Sequence, residues 1–318
     1  MAGLPQQDRK ELVTNTPRQT LKILHTADVH LGLDGYVSDP QTQRYGDIIH
    51  QAFRTVIDLT IEENVDLLLI AGDLFDSNRP SGDVVDFAIQ ELRRAGRPIV
   101  MIPGNHDCLN AQSIYRQVNL PAACSNLLLI AHPDGERHQL DGPNLVLWGR
   151  GMVEHEPAYH PLGAIPRPQG DAWHIALGHG FFMEEDMPSY RSSPIYAEEI
   201  RASGWDYIAL GHCHAFADVS QGAVTAYYAG APGFYPGVPG ADGHVALVRF
   251  EGGASRHVDV QRIDLRPLVN AALQPLRGAE GAEDIPKARF GPQAITRAAL
   301  LDPASPWSDE AAGGKPAP

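Results

Sequence analysis

Asp66-Leu67-Leu68-Leu69-Ile70-Ala71-Gly72-Asp73 is the stretch that decides the fold: an unbroken apolar run that stops at a glycine and a carboxylate. A run this short and this uniformly apolar reads as a strand buried on both faces, since a half-exposed strand would alternate polar and apolar residues. The pattern recurs along the chain. Leu21-Lys22-Ile23-Leu24-His25 breaks at Thr26-Ala27-Asp28, and Pro98-Ile99-Val100-Met101-Ile102 runs into Pro103-Gly104-Asn105-His106. Trp173-His174-Ile175-Ala176-Leu177 runs into Gly178-His179, and Asp206-Tyr207-Ile208-Ala209-Leu210 into Gly211-His212-Cys213-His214. In α/β sheets, sites gather beyond the carboxyl ends of the strands, so polar clusters far apart in sequence can meet at one place.

Helical periods separate these runs. Ile48 to Asn64 carries apolar residues at Ile49, Ala52, Phe53, Val56 and Ile57, with Glu62 and Glu63 on the solvated side, and Val84 to Ala95 reads likewise. Ser193-Pro194 is expected to open a third helix through Tyr196 to Ala202, with Ser as cap and Pro in the first turn. The expected class is α/β.

The residues that close the strands form one inventory: Asp28, His30, Asp73, Asn105, His179, His212 and His214. Any one fragment is weak evidence, because Asp-x-His and Gly-His pairs are common. Together they supply enough oxygen and imidazole donors for two divalent ions with a shared carboxylate. Gly72, Gly104, Gly178 and Gly211 precede the donors and are expected to let the backbone turn and approach an ion closely. Mixed oxygen and nitrogen donors without thiolate suit manganese, iron or zinc better than calcium or magnesium. Cys213 alternates with His212 and His214 and is expected to face away and pack.

These motifs resemble the calcineurin-like metallophosphoesterase superfamily over roughly Leu21 to Val269. His30-Leu31-Gly32, Gly72-Asp73-Leu74-Phe75-Asp76, the Arg44 to Phe53 stretch and Asp206-Tyr207 through His214 are similar to its DNA-repair exonuclease branch, the SbcD-type nucleases. The resemblance implies a four-layer αββα sandwich of two mixed β-sheets flanked by helices. Its last strands would be Val245 to Phe250, His257 to Val260 and Ile263-Asp264-Leu265-Arg266-Pro267. It implies that Asp28, His30, Asp73 and His214 hold one ion and Asp73, Asn105, His179 and His212 the other, with Asp73 bridging. Manganese is the first expectation for both, and iron or zinc the alternatives. The paired ions would activate the water between them for attack on a phosphodiester.

The resemblance also implies that His106 serves the leaving oxygen as acid and that Asp76 orients it, unless Asp76 only stabilises its loop. Asp107 is expected to hold the turn. Two departures stand out. Gly230-Ala231-Pro232 occupies the place of the family's Gly-Ser-Pro, and about fifty residues rich in Ala, Pro and Gly follow Val269. Neither a DNA-capping domain nor the helical segment that docks an SbcC-type ATPase partner is recognisable there. The expected organisation is a flexible tail over 1–20, a catalytic domain over 21–269, and a partly disordered tail over 270–318.

The remaining histidines, His25, His50, His132, His138, His155, His160, His174, His244 and His257, lack a strand-end context and are expected at the surface or behind the donors. Tyr36, Arg44 and Phe181-Phe182 could line a substrate groove, although the two phenylalanines could equally be core. No run is long enough to span a membrane, and three cysteines, Cys108, Cys124 and Cys213, show no pairing pattern. A cytoplasmic protein is expected. The net charge of −14 argues against long-range attraction of DNA. Arg79, Arg150, Arg191 and Arg201 could form a local patch or be scattered solubility charge. Three readings stay open: a nuclease, a phosphoesterase for small esters, and a silent scaffold.

Overall fold

Fourteen strands and six helices, in chain order, make up the described part of a computed structural model covering residues 20–33, 40–140, 142–184, 192–234, 243–252 and 256–273. The elements are β1 (Leu21–Thr26), α1 (Pro40–Glu62), β2 (Leu67–Ala71), α2 (Gly82–Arg94), β3 (Ile99–Ile102), α3 (Ile114–Gln117), α4 (Leu120–Ala123) and β4 (Leu127–Leu129). Then come β5 (Glu136–Leu140), β6 (Leu145–Gly149), β7 (Trp173–His179), β8 (Phe181–Met183), β9 (Pro194–Tyr196), α5 (Ala197–Ser203) and β10 (Tyr207–Gly211). β11 (Phe216–Asp218), β12 (Thr225–Ala229), β13 (His244–Glu251), β14 (His257–Asp264) and α6 (Arg266–Leu273) complete it. Tyr36, Arg191 and the side chain of Arg44 lie outside the described residues, as do 1–19 and 274–318.

Two six-stranded sheets form, in the orders β14-β13-β1-β2-β3-β4 and β11-β12-β10-β7-β6-β5. Each is mixed. β1 to β4 run parallel while β13 is antiparallel to β1, and β6, β7, β10 and β12 run parallel while β5 and β11 are antiparallel at the edges. The side chains of β2 show how the layers stack. Leu67 and Leu69 join Ile23, Val100, Leu147, Ile175 and Ala209 in a core between the sheets. Leu68 and Ile70, pointing the other way, pack under Phe53, Val56 and Ala88 of α1 and α2. On the far side of the second sheet, Ala176, Ile208 and Leu210 pack against Ala197 and Ile200 of α5. The order of layers is helix, sheet, sheet, helix, as expected, because the central strands are apolar on both faces.

Element ends differ from the sequence reading in three places. α1 begins eight residues before the apolar stripe, at Pro40, whose fixed φ and missing N–H suit the first helical position. The segment at Ser193-Pro194 is not a helix start. Phe181 N–H donates to the Ser193 carbonyl at 3.0 Å and Pro194–Tyr196 becomes β9, paired parallel with β8. Proline lacks a donor but is tolerated at a strand's first position, and the helix starts at Ala197 with the Glu199 carboxylate accepting from Tyr196 N–H at 2.8 Å. Third, Arg266 and Pro267 begin α6 and do not extend the last strand.

One polar link crosses the central core: His25 Nδ1 on β1 lies 2.9 Å from the Tyr207 hydroxyl on β10, with both residues fully buried. Burial pushes the His25 imidazole down to about 3, against a smaller upward pull from the Leu210 backbone. The unfolded chain, with an ordinary histidine near 6.5, therefore takes up this proton first as pH falls. Stability from a neutral His25 is complete above that value and is lost progressively toward pH 3. Tyr207→Phe should cost about 1–3 kcal/mol, the penalty of leaving a buried partner unmatched. His25→Asn should flatten the loss of stability between pH 6 and 4, measured by urea unfolding at stepped pH; an unchanged slope would contradict the assignment.

Candidate metal centre

The strand-end donors meet because three glycines let the loops interpenetrate, and at one of them, Gly211, a Cβ would overlap the Ala71 carbonyl and crowd the His179 ring. Gly72 has φ of +94°, and a Cβ there would overlap the His179 ring; a Cβ on Gly104 would overlap the Asp73 carboxylate. Gly178, expected to act alike, does not: it lies inside β7 and its nearest neighbour would be a Leu162 methyl at 3.2 Å. The loops after β1 and β2 are joined by Asp28 N–H to Gly72 O at 3.1 Å, Val29 N–H to Asp73 O at 2.8 Å and His30 N–H to Asp73 O at 3.1 Å.

Four of the seven expected donors adopt a left-handed backbone: Asp28 with φ of 54°, His30 of 56°, Asp73 of 52° and His212 of 98°. Such a conformation costs a non-glycine residue on the order of 1–3 kcal/mol. Clustering of this strain at the strand ends is the mark of side chains held in place for a task and not for the fold.

All seven converge. His30 Nε2 lies 3.1 Å from His214 Nε2 and 4.0 Å from Asp73 Oδ2. His179 Nε2 lies 3.3 Å from Asp73 Oδ2, and Asn105 Oδ1 is 2.9 Å from both His179 Nε2 and His212 Nδ1. His179 Nδ1 is 2.8 Å from the Ala71 carbonyl, an acceptor only, so Nδ1 carries a proton and it is Nε2, once it gives up its own, that would offer a lone pair to the cluster. Asp28 accepts the His212 amide at 3.0 Å. Donor atoms of Asp28, His30 and His214 lie within 4.8 Å of one another, as do those of Asp28, Asp73 and His179. Two carboxylates, Asp28 as well as Asp73, therefore stand between the groups.

The donor set fits cations. Asp28, His30, Asp73 and His179 are almost fully buried, and their carboxylate oxygens and imidazole nitrogens crowd together with those of His214 in two groups whose atoms lie within 4.8 Å of one another. Cys213 packs among Trp148, Leu210 and Ala215, as its alternation implies, and burial pushes its thiol up to about 12. The protonation pattern shows the strain of bare donors. Burial alone would lower His179, but the Asp73 carboxylate beside it pushes it up to about 9. Burial pulls Asp73 up while His179 and its neighbours overcome this and hold it well below the usual carboxylate range. Asp28 is pushed up, by burial first and by Asp73 among its neighbours. His214, buried and beside His30, is held well below the ordinary range.

His106 and Asp76 also reach the cluster. The His106 amide donates to Asp73 Oδ1 at 2.9 Å, and its ring Nδ1 lies 2.8 Å from the backbone carbonyl of Asp76. The Asp76 carboxylate is nearer His30 Nδ1, at 3.2 Å, than His106 Nδ1, at 3.6 Å. Asp107 accepts from the Gly104 amide at 2.7 Å, the Phe75 amide at 3.2 Å and the Tyr115 hydroxyl, which locks the turn. Phe181 and Phe182 are buried core. Arg150 donates to the carbonyls of Pro133 and His160, and Arg201 pairs with Glu198 at 2.6 Å, while Arg79 is exposed on the loop that carries Asp73 and Asp76. His155, with no strand before it to mark it in the sequence, reaches the cluster too, its ring 5.2 Å from that of His212.

A cation at His179 Nε2 must displace a proton, so binding strengthens with pH up to about 9. The metal-free protein behaves oppositely, because the raised His179 stabilises it fully below 6.5 and this is lost as pH rises through 9. The rise in Tm on adding manganese should therefore grow steadily from pH 6.5 to 8.5 in a thermal-shift series, with affinity rising up to about tenfold per unit if one proton leaves. A pH-independent rise would contradict this.

A family model described as calcineurin-like phosphoesterase matches residues 21–216. The DNA double-strand break repair protein Mre11 of Sulfurisphaera tokodaii is 40% identical over 204 residues, which are 61% of this chain and 49% of that protein. The uncharacterized metallophosphoesterase YhaO of Bacillus subtilis is 29% identical over 209 residues, 61% of this chain and 48% of that protein. The chain thus spans about half the length of these curated relatives. A dimetal phosphatase from Danio rerio superposes with a TM-score of 0.48 at 11% identity, covering 78% of this chain and 99% of the other. With a matching family model that takes in all five donor-bearing strand ends, the chain belongs to the calcineurin-like phosphoesterase family.

Proposed function

We propose that the chain is a two-metal phosphodiesterase of the SbcD type, acting on the ends of nucleic acid. The observation that carries the proposal is the convergence of two carboxylates, one amide and four imidazoles from five loops on one buried spot. The relatives named as Mre11 double-strand break repair proteins support the nuclease branch. In this reading Asp28, His30, Asp73 and His214 hold one ion and Asp73, Asn105, His179 and His212 the other. Manganese is proposed for both, since the donors are oxygen and imidazole. A bound pair of divalent ions supplies charge toward phosphoryl oxygens and acidity toward water.

The protein's own groups do the rest. His106, beside the donors and with its side chain 35% exposed, can in this reading present a proton to the leaving oxygen. Its Nδ1 is held by the Asp76 carbonyl, so a ring that carries a proton on Nε2 is a cation, and the Asp76 carboxylate at 3.6 Å balances it. The same carboxylate steadies His30, which ties the acid to the donor set. Arg79, exposed just past Asp76 on the same loop, is the arginine this reading assigns to a substrate phosphate.

A second reading, cleavage of a small phosphodiester or phosphomonoester, is favoured by the net charge of −14 and by the local commitments of Arg150 and Arg201. An SbcC-type ATPase partner and a cytoplasmic setting belong to the proposal as well. Three buried cysteines without a disulfide accord with the latter, and among the described residues no helix is long and apolar enough to cross a membrane.

Purified protein given manganese should cut end-labelled DNA. Cleavage of bis-p-nitrophenyl phosphate alone would favour the second reading, and cleavage of neither would leave a binding scaffold. Asp73→Asn should abolish activity and metal binding together, so two ions retained by that variant would contradict the bridge. His106→Ala should keep both ions and slow turnover by about 10²–10⁴, the usual contribution of a positioned acid. No loss with a poor leaving group would remove the acid role.

A further inference from the structure

His155 stands outside the donor set, half-buried on a loop, with its ring 5.2 Å from the His212 ring at 47°. The His179 ring flanks His212 from another direction, at 5.3 Å. His155 is itself tethered: its Nδ1 lies 2.9 Å from Ser193 Oγ, and the Ser193 amide donates to the carbonyl of Glu156 at 2.9 Å. Ser193 is fully buried and has φ of 51°, a left-handed conformation that strains a serine.

These contacts close a ring around one donor. The Gly180 amide donates to the carbonyl of Gly211, next to His212, at 3.2 Å. The Phe181 amide donates to the Ser193 carbonyl at 3.0 Å, and Ser193 returns through His155 to His212. His212 needs such support. With φ of 98° its backbone is strained, and the backbone alone leaves the ring free to turn about its side-chain bonds. Partners that orient a metal-bound imidazole typically contribute about ten- to a hundredfold in affinity.

We infer that His155, tethered by Ser193, is a positioning residue of the metal centre: it fixes the plane of the His212 imidazole and so tightens the ion shared by His212, His179 and Asn105. The inference rests on the two-metal reading above.

The test titrates the metal-free full chain with manganese chloride, following binding by calorimetry and the coupling of the two ions by electron paramagnetic resonance. His155→Ala removes the flanking ring. Ser193→Gly removes the tether while relaxing a backbone that glycine adopts freely. Each variant should weaken one of the two binding steps about tenfold, leave the other unchanged, and alter the coupled-pair spectrum at two equivalents. Metal-free Ser193→Gly should melt at or above the wild-type temperature. Variants that melt lower yet bind both ions with the wild-type affinity and spectrum would overturn the inference and leave a purely structural role. Should His155→Ala fail to fold, Ser193→Gly decides alone. A wild type that takes up no second ion removes the two-metal reading and this inference together, whereas two ions in the wild type and identical binding in the variants remove only the inference.

Discussion

The rest of the structure depends on two carboxylates, Asp28 and Asp73, being buried side by side at the seam between the sheets. Burying one ionised carboxylate is costly, and burying two together adds their repulsion. The protein answers with imidazoles. His179 sits 3.3 Å from Asp73 and His30 within 4.0 Å, and with no cation present they take up the protons that the carboxylates would otherwise need. The arrangement is a poor way to build a core and a good way to build a receptor for positive charge. The left-handed backbone at Asp28, His30, Asp73 and His212 follows the same logic, because local strain persists where the surrounding sheets over-determine it.

Much of this was legible in the sequence because the physics is local there. An apolar run such as Leu67 to Ala71 can be buried only between layers, and the polar residue after it can lie only at the strand's end. The α/β class and the meeting of the seven donors follow from that repeated rule, whereas the four-layer sandwich was an expectation of the family resemblance. Element ends were less legible. Ser193-Pro194 carries a helix-start signal, yet the hydrogen bond from Phe181 and the competing cap from Glu199 draw it into a strand. Both partners are set by the tertiary fold, which a local pattern does not encode. His155 was expected only as one of nine histidines at the surface or behind the donors, and its contact with His212 was not legible for the same reason: it is brought there by a loop held to Ser193, thirty-eight residues away. The glycines were read as equivalent, but only backbone geometry separates Gly72, Gly104 and Gly211, against which other groups pack closely, from Gly178.

The acidic balance shapes which substrates the centre can reach. At −14 the chain repels a polyanion at long range, so attraction must come from close quarters. A bound ion pair would bring about four positive charges to the cleft, and Arg79 is exposed on the adjoining loop. In the proposed nuclease reading, such a short-range field would act on a phosphodiester already delivered to the ions more than on distant duplex.

The most direct measurement is a crystal structure of the manganese-soaked protein with anomalous scattering recorded at the manganese, iron and zinc edges. The account predicts two peaks about 3.5–4 Å apart, one among Asp28, His30 and His214 and the other among His179, Asn105 and His212, with Asp73 touching both. A single peak, an empty cluster after soaking, or side chains turned away from the density would contradict it.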